Sequence, residues 1–160
     1  MVIYGKSDKM EYHTLLGDIL PALHGYHLPL TWMLTDIECL DLPEVLRGIE
    51  PVIVSGRELD EVIVARPDLQ IIWGVLSGFR LPHKEIDPSI LPKAENSDVW
   101  EPTYKIQHPQ AECELVAWDS TATFFRSHNC KIMRSFERRF PEARSLHEDH
   151  EGKSEQEEGM

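Results

Sequence analysis

Apolar residues along this chain recur at two spacings, one suited to helices and one to strands. Tyr12, Leu15, Leu16, Ile19 and Leu20 fall at helical spacing and predict a helix over 11–23, with Pro21 and Gly25 as stop signals. Pro29–Thr35 is short, aromatic and β-branched and reads as a strand. Glu50–Ser55 opens a second short strand, in which Pro51 suits the first residue or an edge. Ser55 then stands three residues before Glu58, the spacing of a capping box, and Leu59, Val62 and Ile63 continue a helical face that Pro67 ends.

Leu69–Leu76 is almost unbroken in apolar character, which suits a central strand covered on both faces, with Ser77-Gly78-Phe79 at its end. Residues 80–110 are interrupted by Pro82, Pro88, Pro92, Pro102 and Pro109 and read as a long proline-rich loop. Loops of that length inside a domain are uncommon and often functional. Glu112–Asp119 and Ser120–Arg126 read as two paired strands or one long bent one, and Ile132, Met133, Phe136 and Phe140 mark the apolar stripe of a last helix closed by Pro141. The order of elements, without a repeated βαβ unit, predicts an α+β fold. Its sheet is mainly antiparallel, of about five strands, with helices packed on one face. One domain spans 1–146. Residues 147–160 carry six carboxylates against Lys153 and are expected to form a disordered acidic tail.

Composition adds a sign to this picture. Hydrophobic residues at 41% supply a core, and a net charge of −12 disfavours nucleic acid and anionic membranes while favouring a basic protein partner. The longest apolar run, 71–76, is too short for a membrane span, and the first residues lack a signal-peptide pattern. Three cysteines without a CxxC give neither a disulfide framework nor a structural zinc site. A cytoplasmic protein without metal or cofactor is the expectation.

Motifs for catalysis are missing. There is no P-loop and no HExxH, and Leu76-Ser77-Gly78-Phe79 lacks the leading glycine of a nucleophile elbow. Asp119-Ser120-Thr121 reads as a turn. Cys130 beside His128 reads as a small residue at a helix start, with a Cys–His nucleophile as the alternative. His24/His27 and His147/His150 have i, i+3 spacing without companion ligands.

Charge is segregated. Asp36, Glu38, Asp41, Glu44, Glu50, Glu58, Asp60 and Glu61 cluster in sequence, whereas Arg126, Lys131, Arg134, Arg138, Arg139 and Arg144 gather near the last helix. Asp36, Glu38, Asp41, Glu58, Asp60 and Glu61, with Trp100, are the expected contacts for a basic partner. Trp100, on the long loop, is either an interface anchor or a plug that pins the loop to the body.

Two stretches, Gln70–Phe79 and Leu115–Thr121 followed by Phe136–Leu146, resemble small, largely uncharacterised bacterial proteins, some of them of the toxin-immunity type. The resemblance lies in strand and helix patterns and carries over no catalytic residue. It implies neutralisation of a cognate toxin by binding, and an acidic protein suits a basic toxin such as a nuclease. The expected function is thus non-enzymatic protein binding. The alternatives are a small cytoplasmic hydrolase using Asp119, His128 or Cys130, and a structural or adaptor domain.

Overall fold

Strand residues alternate in and out of a sheet plane, and in this chain both sides of the alternation are largely apolar, so the sheet must be covered twice. The computed structural model describes residues 2–5, as backbone only, and residues 13–145. In chain order the elements are β1 (Val2–Gly5), α1 (Leu16–Ile19), β2 (Thr31–Glu38), β3 (Val52–Ser55), α2 (Gly56–Ala65), β4 (Trp73–Phe79), β5 (Cys113–Trp118), β6 (Ala122–Ser127), α3 (Cys130–Arg139) and β7 (Arg144–Ser145). Short 3-10 turns occur at Pro21–Leu23, Glu44–Leu46, His83–Glu85 and Ser97–Trp100.

The strands form one sheet in the order β3-β2-β4-β5-β6-β1-β7, and every neighbouring pair is antiparallel. The fold is α+β as expected. The five expected strands make the contiguous body of the sheet, β3 to β6. The β1 and β7 strands extend its β6 edge from segments whose apolar patterns are too short to announce a strand.

Register explains the two layers. Leu34 lies opposite Leu76, Leu76 opposite Leu115 and Leu115 opposite Phe125. This row faces the helices: Leu16, Ile19, Leu59, Val62, Ile63, Ile132, Phe136 and Phe140 join the same core cluster. All the described helices therefore pack on one face. The alternate residues, among them Met33, Val75, Phe79, Val116 and Phe124, point to the other face.

That second face is covered by the proline-rich loop, which is a packed layer and not a loose excursion. Ile86, Ala94, Val99, Tyr104 and Ile106 are buried against the sheet from this segment. Prolines deny the segment a regular hydrogen-bond ladder, so side chains satisfy its backbone. The Thr35 hydroxyl donates to the Pro92 carbonyl at 2.8 Å, the Lys93 N–H to Gln107 Oε1 at 2.9 Å, and the Asp87 N–H to Gln110 Oε1 at 2.9 Å.

Three boundaries differ from the sequence expectation. The first helix is one short turn, Leu16–Ile19, because Pro21 starts a 3-10 turn directly after it. The central strand is Trp73–Phe79, later than expected; Leu69–Ile71 is taken up in backbone hydrogen bonds and a bridge to the Thr14–Leu16 segment, and the Ile72 N–H donates to the Glu38 carbonyl. Gly78 belongs inside this strand: a Cβ there would meet Cys113 Sγ at 2.7 Å, Leu30 Cδ1 at 3.0 Å and the Trp32 ring at 3.2 Å. The strand thus runs through the glycine that reads, in sequence, as its end. Asp119, Ser120 and Thr121 form the hairpin turn between Trp118 of β5 and its partner Ala122 of β6, and Asp119 and Ser120 adopt positive φ of 45° and 58°, the left-handed backbone that tight hairpin turns use. The expected disordered tail at 147–160 lies outside the described residues.

Candidate functional site

The most distinctive surface feature grows from a bulge in β2. Thr35 pairs with Val75 and Glu38 with Trp73, so Asp36 and Ile37 together oppose the single residue Gly74. Asp36 takes up the extra length with a φ of 55°, a left-handed conformation that Asp tolerates better than most residues. Ile37 packs against the helix-side core over Gly74, where a Cβ would meet Ile37 Cδ1 at 2.5 Å. With Ile37 held inward, Asp36 is left on the other side. Its Oδ2 accepts the Ala94 N–H at 2.8 Å, and its own N–H donates to Glu50 Oε1 at 2.8 Å.

These bonds gather carboxylates from three segments. Asp36 and Glu38 from β2, Glu50 from the approach to β3 and Glu95 from the covering loop line one notch of about 350 Å³, together with Ile37 and Trp73. Trp73 is backed by Trp118, edge-on at 4.8 Å. Among the described residues, no ion pair reaches any of the four carboxylates. Two aliphatic side chains flank the notch in sequence and stand in solvent: Leu40 is 94% exposed and Ile49 is 95% exposed.

The other expected contacts lie elsewhere. Asp41 is neutralised: Arg66 reaches it at 2.9 Å and Arg47 at 3.9 Å. Glu58 completes the capping box of α2, accepting from the Ser55 N–H and hydroxyl, and these bonds hold its carboxyl below the ordinary range. Asp60 accepts from His27 Nε2 at 2.8 Å. Glu61 is exposed on α2. The α2 helix packs on the helix face of the sheet, whereas Trp100 lies under the loop on the opposite face, so the seven residues do not form one surface. Trp100 packs edge-on against Phe124 at 4.7 Å and Trp118 at 5.6 Å. It is the plug, not an exposed anchor.

The residues of the hydrolase alternative do not converge. Asp119 sits in the turn before β6, whereas His128 and Cys130 follow the other end of that six-residue strand, a separation of roughly 20 Å. The Cys113 thiol is pushed up to about 12 by burial and is no nucleophile. His24 is exposed while His27 is buried against Asp60, so this pair does not converge on a metal. Among the described residues no group of three or more His, Cys, Asp or Glu side chains is placed to hold a metal ion. No described helix is long and apolar enough to cross a membrane.

One buried polar group sits beneath the loop. Glu114 of β5 is 1% exposed. It accepts the Tyr104 hydroxyl at 2.5 Å and the Gln107 N–H at 2.9 Å. Burial raises its carboxyl pKa despite these bonds and the nearby Arg126, and burial also raises that of the Tyr104 hydroxyl, which stays protonated as the donor. Nothing opens onto Glu114 from solvent, so its work is to anchor the loop.

Of the notch, Asp36 and Glu38 were legible in sequence as candidates. Glu50 was visible only as one acid among many. Glu95 and Trp73 were missed, because only the folded loop brings Glu95 to β2. Leu40 and Ile49 carried a signal: aliphatic residues within an acidic, turn-like stretch. Comparison with known proteins yields no matching family model, no matching curated protein and no matching solved structure.

Proposed function

We propose that this protein is a non-enzymatic binding module that docks a basic protein partner on the acidic notch and its flanking aliphatic tips. The observation that carries the reading is the set Asp36, Glu38, Glu50 and Glu95 gathered in one notch, with no ion pair among the described residues; the exposed Leu40 and Ile49 stand near Glu38 and Glu50 in sequence. Interfaces draw affinity from desolvated apolar anchors, and charge complementarity sets encounter rate and partner choice. Trp73 gives the notch an aromatic wall for the stem or head of a lysine or arginine. Gathered like charges destabilise a fold slightly, and their retention at one spot favours a use in recognition.

A basic toxin neutralised by its immunity protein is the instance that the sequence resemblance points to. Occlusion would be steric and electrostatic, with no bond made or broken. Cytoplasmic residence suits the free cysteines Cys39, Cys113 and Cys130.

Affinity capture from the native host at low and moderate salt tests the reading, with the wild-type chain and an E38K/E95K variant as parallel baits. A basic protein retained by the wild type, lost as salt rises and lost with the variant, is the expected result. A partner held equally by both baits, or an acidic partner, would refute the notch as the docking site.

A further inference from the structure

The turn after β2 leaves one leucine in solvent at the edge of a pocket that it does not fill. Ile37, Cys39 and Leu42 pack against the helix-side core, and the chain between them leaves Leu40 outside, 94% exposed. At its edge lies a pocket of about 280 Å³, walled by Cys39, Leu69, Ile72 and Ser120. Backbone bonds build the walls: the Ile72 N–H donates to the Glu38 carbonyl at 2.9 Å, and the Ser120 N–H to the Ile72 carbonyl at 3.0 Å. Arg66 spans the rim, reaching Asp41 at 2.9 Å and Asp68 at 3.1 Å. Arg47 reaches Asp41 at 3.9 Å and Glu44 at 3.3 Å. An apolar cavity of about 150 Å³ already admits a small apolar molecule, so this pocket has room for a leucine side chain.

We propose that the occupant is Leu40 of a second copy, and that two copies pair about a two-fold axis with each Leu40 seated in the other's pocket. A two-fold axis satisfies a knob and a hole on one face reciprocally, and the contact closes at two copies. Charge selects this face. A net charge of −12 makes two copies repel each other, most strongly where carboxylates stand without cations, as at the notch. Around the pocket Asp41, Glu44 and Asp68 are matched by Arg47 and Arg66. The rim is thus close to neutral and carries both signs, which suits a copy of itself better than a strongly basic partner. Val45, also exposed, adjoins Glu44 and adds apolar area to the same segment. So small a patch makes a weak, reversible pair, at the low end of interface sizes. Leu40 serves a second copy or the basic partner and not both at once, so the two associations exclude each other. The pairing itself does not rest on that partner.

The test uses the full chain as wild type, L40S and I49S, by sedimentation equilibrium up to about 1 mM protein, the range of weak complexes. Both replaced side chains stand in solvent, so all three forms should fold alike. Wild type should form a reversible dimer, and a tighter one as salt rises, because screening removes the repulsion between like-charged copies. L40S takes two seated leucines out of the pair and should weaken it on the order of a hundredfold. I49S, the equally exposed control, should match wild type. With isotope-labelled L40S and an excess of unlabelled wild type, amide NMR shifts should fall on residues 69–72 and 120, as wild-type Leu40 enters the labelled pocket. A wild type that stays monomeric throughout would overturn the proposal. Equal association in wild type and L40S, or equal loss in both variants, would do the same. Shifts confined to residues 36–38 and 50, or a dimer that loosens as salt rises, would place the contact at the notch and also overturn it. Failure here leaves the notch reading standing, since no partner is present and partner capture moves with salt in the opposite direction.

Discussion

Replacing Glu114 with glutamine should make the protein more stable at neutral pH and flatten its pH dependence. In the folded chain burial raises the carboxyl pKa above its ordinary value of 4.5, with the Tyr104 and Gln107 bonds and Arg126 opposing without cancelling the effect. The unfolded chain therefore releases this proton at lower pH than the folded one. Between the two values the native state binds more protons, so stability falls as pH rises, by up to about 1.4 kcal/mol per pH unit. The contribution is complete below the unfolded pKa and lost as pH passes the folded one. Glutamine does not ionise. Its Oε1 accepts the Gln107 N–H, and its amide donates to the Tyr104 oxygen once that hydroxyl rotates, so both contacts survive.

Alanine at the same position strands the Tyr104 hydroxyl and the Gln107 N–H in a buried site. At about 1–3 kcal/mol for each unsatisfied group, E114A should lose about 2–6 kcal/mol. Urea unfolding followed by tryptophan fluorescence between acid and mildly alkaline pH reports these differences, because Trp100 is carried by this loop and Trp118 lies beneath it. E114Q should coincide with wild type at the acid end and exceed it at the alkaline end. Parallel stability curves for the two proteins, or an E114Q variant weaker than wild type throughout, would refute the burial argument.

Three further outcomes are expected. Trp100→Ala removes two edge-on ring contacts and should cost about 2–4 kcal/mol, with amide hydrogen exchange rising first within residues 94–107. Gly78→Ala forces a methyl group against Cys113 and Trp32 and should cost about 1–3 kcal/mol in chemical denaturation. E38Q/E95Q removes two unpaired like charges from the notch and should raise stability by about 0.3–1 kcal/mol at low salt while weakening capture of the basic partner.

The legible parts of this fold were those set by local pattern. The Ser55–Glu58 box, the α3 stripe of Ile132, Phe136 and Phe140, and the Asp119-Ser120 turn each depend on neighbours within a few residues, so spacing alone reveals them. The loop over 80–110 was legible as irregular but not as a layer. Its buried residues Ile86, Ala94, Val99, Tyr104 and Ile106 follow no period, because side-chain hydrogen bonds and not a ladder fix its backbone. The two-faced apolar character of Leu69–Leu76 was the available hint that a second cover was needed. The acidic candidates failed in part for a related reason: sequence proximity does not show which carboxylates already have partners. Asp41 and Asp60 do, through Arg66 and His27, while Glu95 joins Asp36 from the far side of the chain.

The bulge at Asp36–Ile37 ties the covering loop to the proposed docking site. Turning Ile37 inward over Gly74 frees the Asp36 carboxylate, and that carboxylate holds the loop through the Ala94 N–H. The same bond sets Glu95, the next residue, at the notch. Asp36 therefore anchors one element and contributes charge to the other, and the two roles oppose each other. Charge repulsion among Asp36, Glu38, Glu50 and Glu95 works against seating the loop, whereas a cation in the notch relieves that repulsion and favours the seated state. Linkage requires the effect to be mutual: whatever strengthens the loop's attachment at Asp36 also preforms the notch for its partner. The Trp100 plug and the buried Glu114–Tyr104 bond secure the rest of the loop against the sheet, which leaves the Asp36–Ala94 attachment as the point where loop seating and partner binding meet.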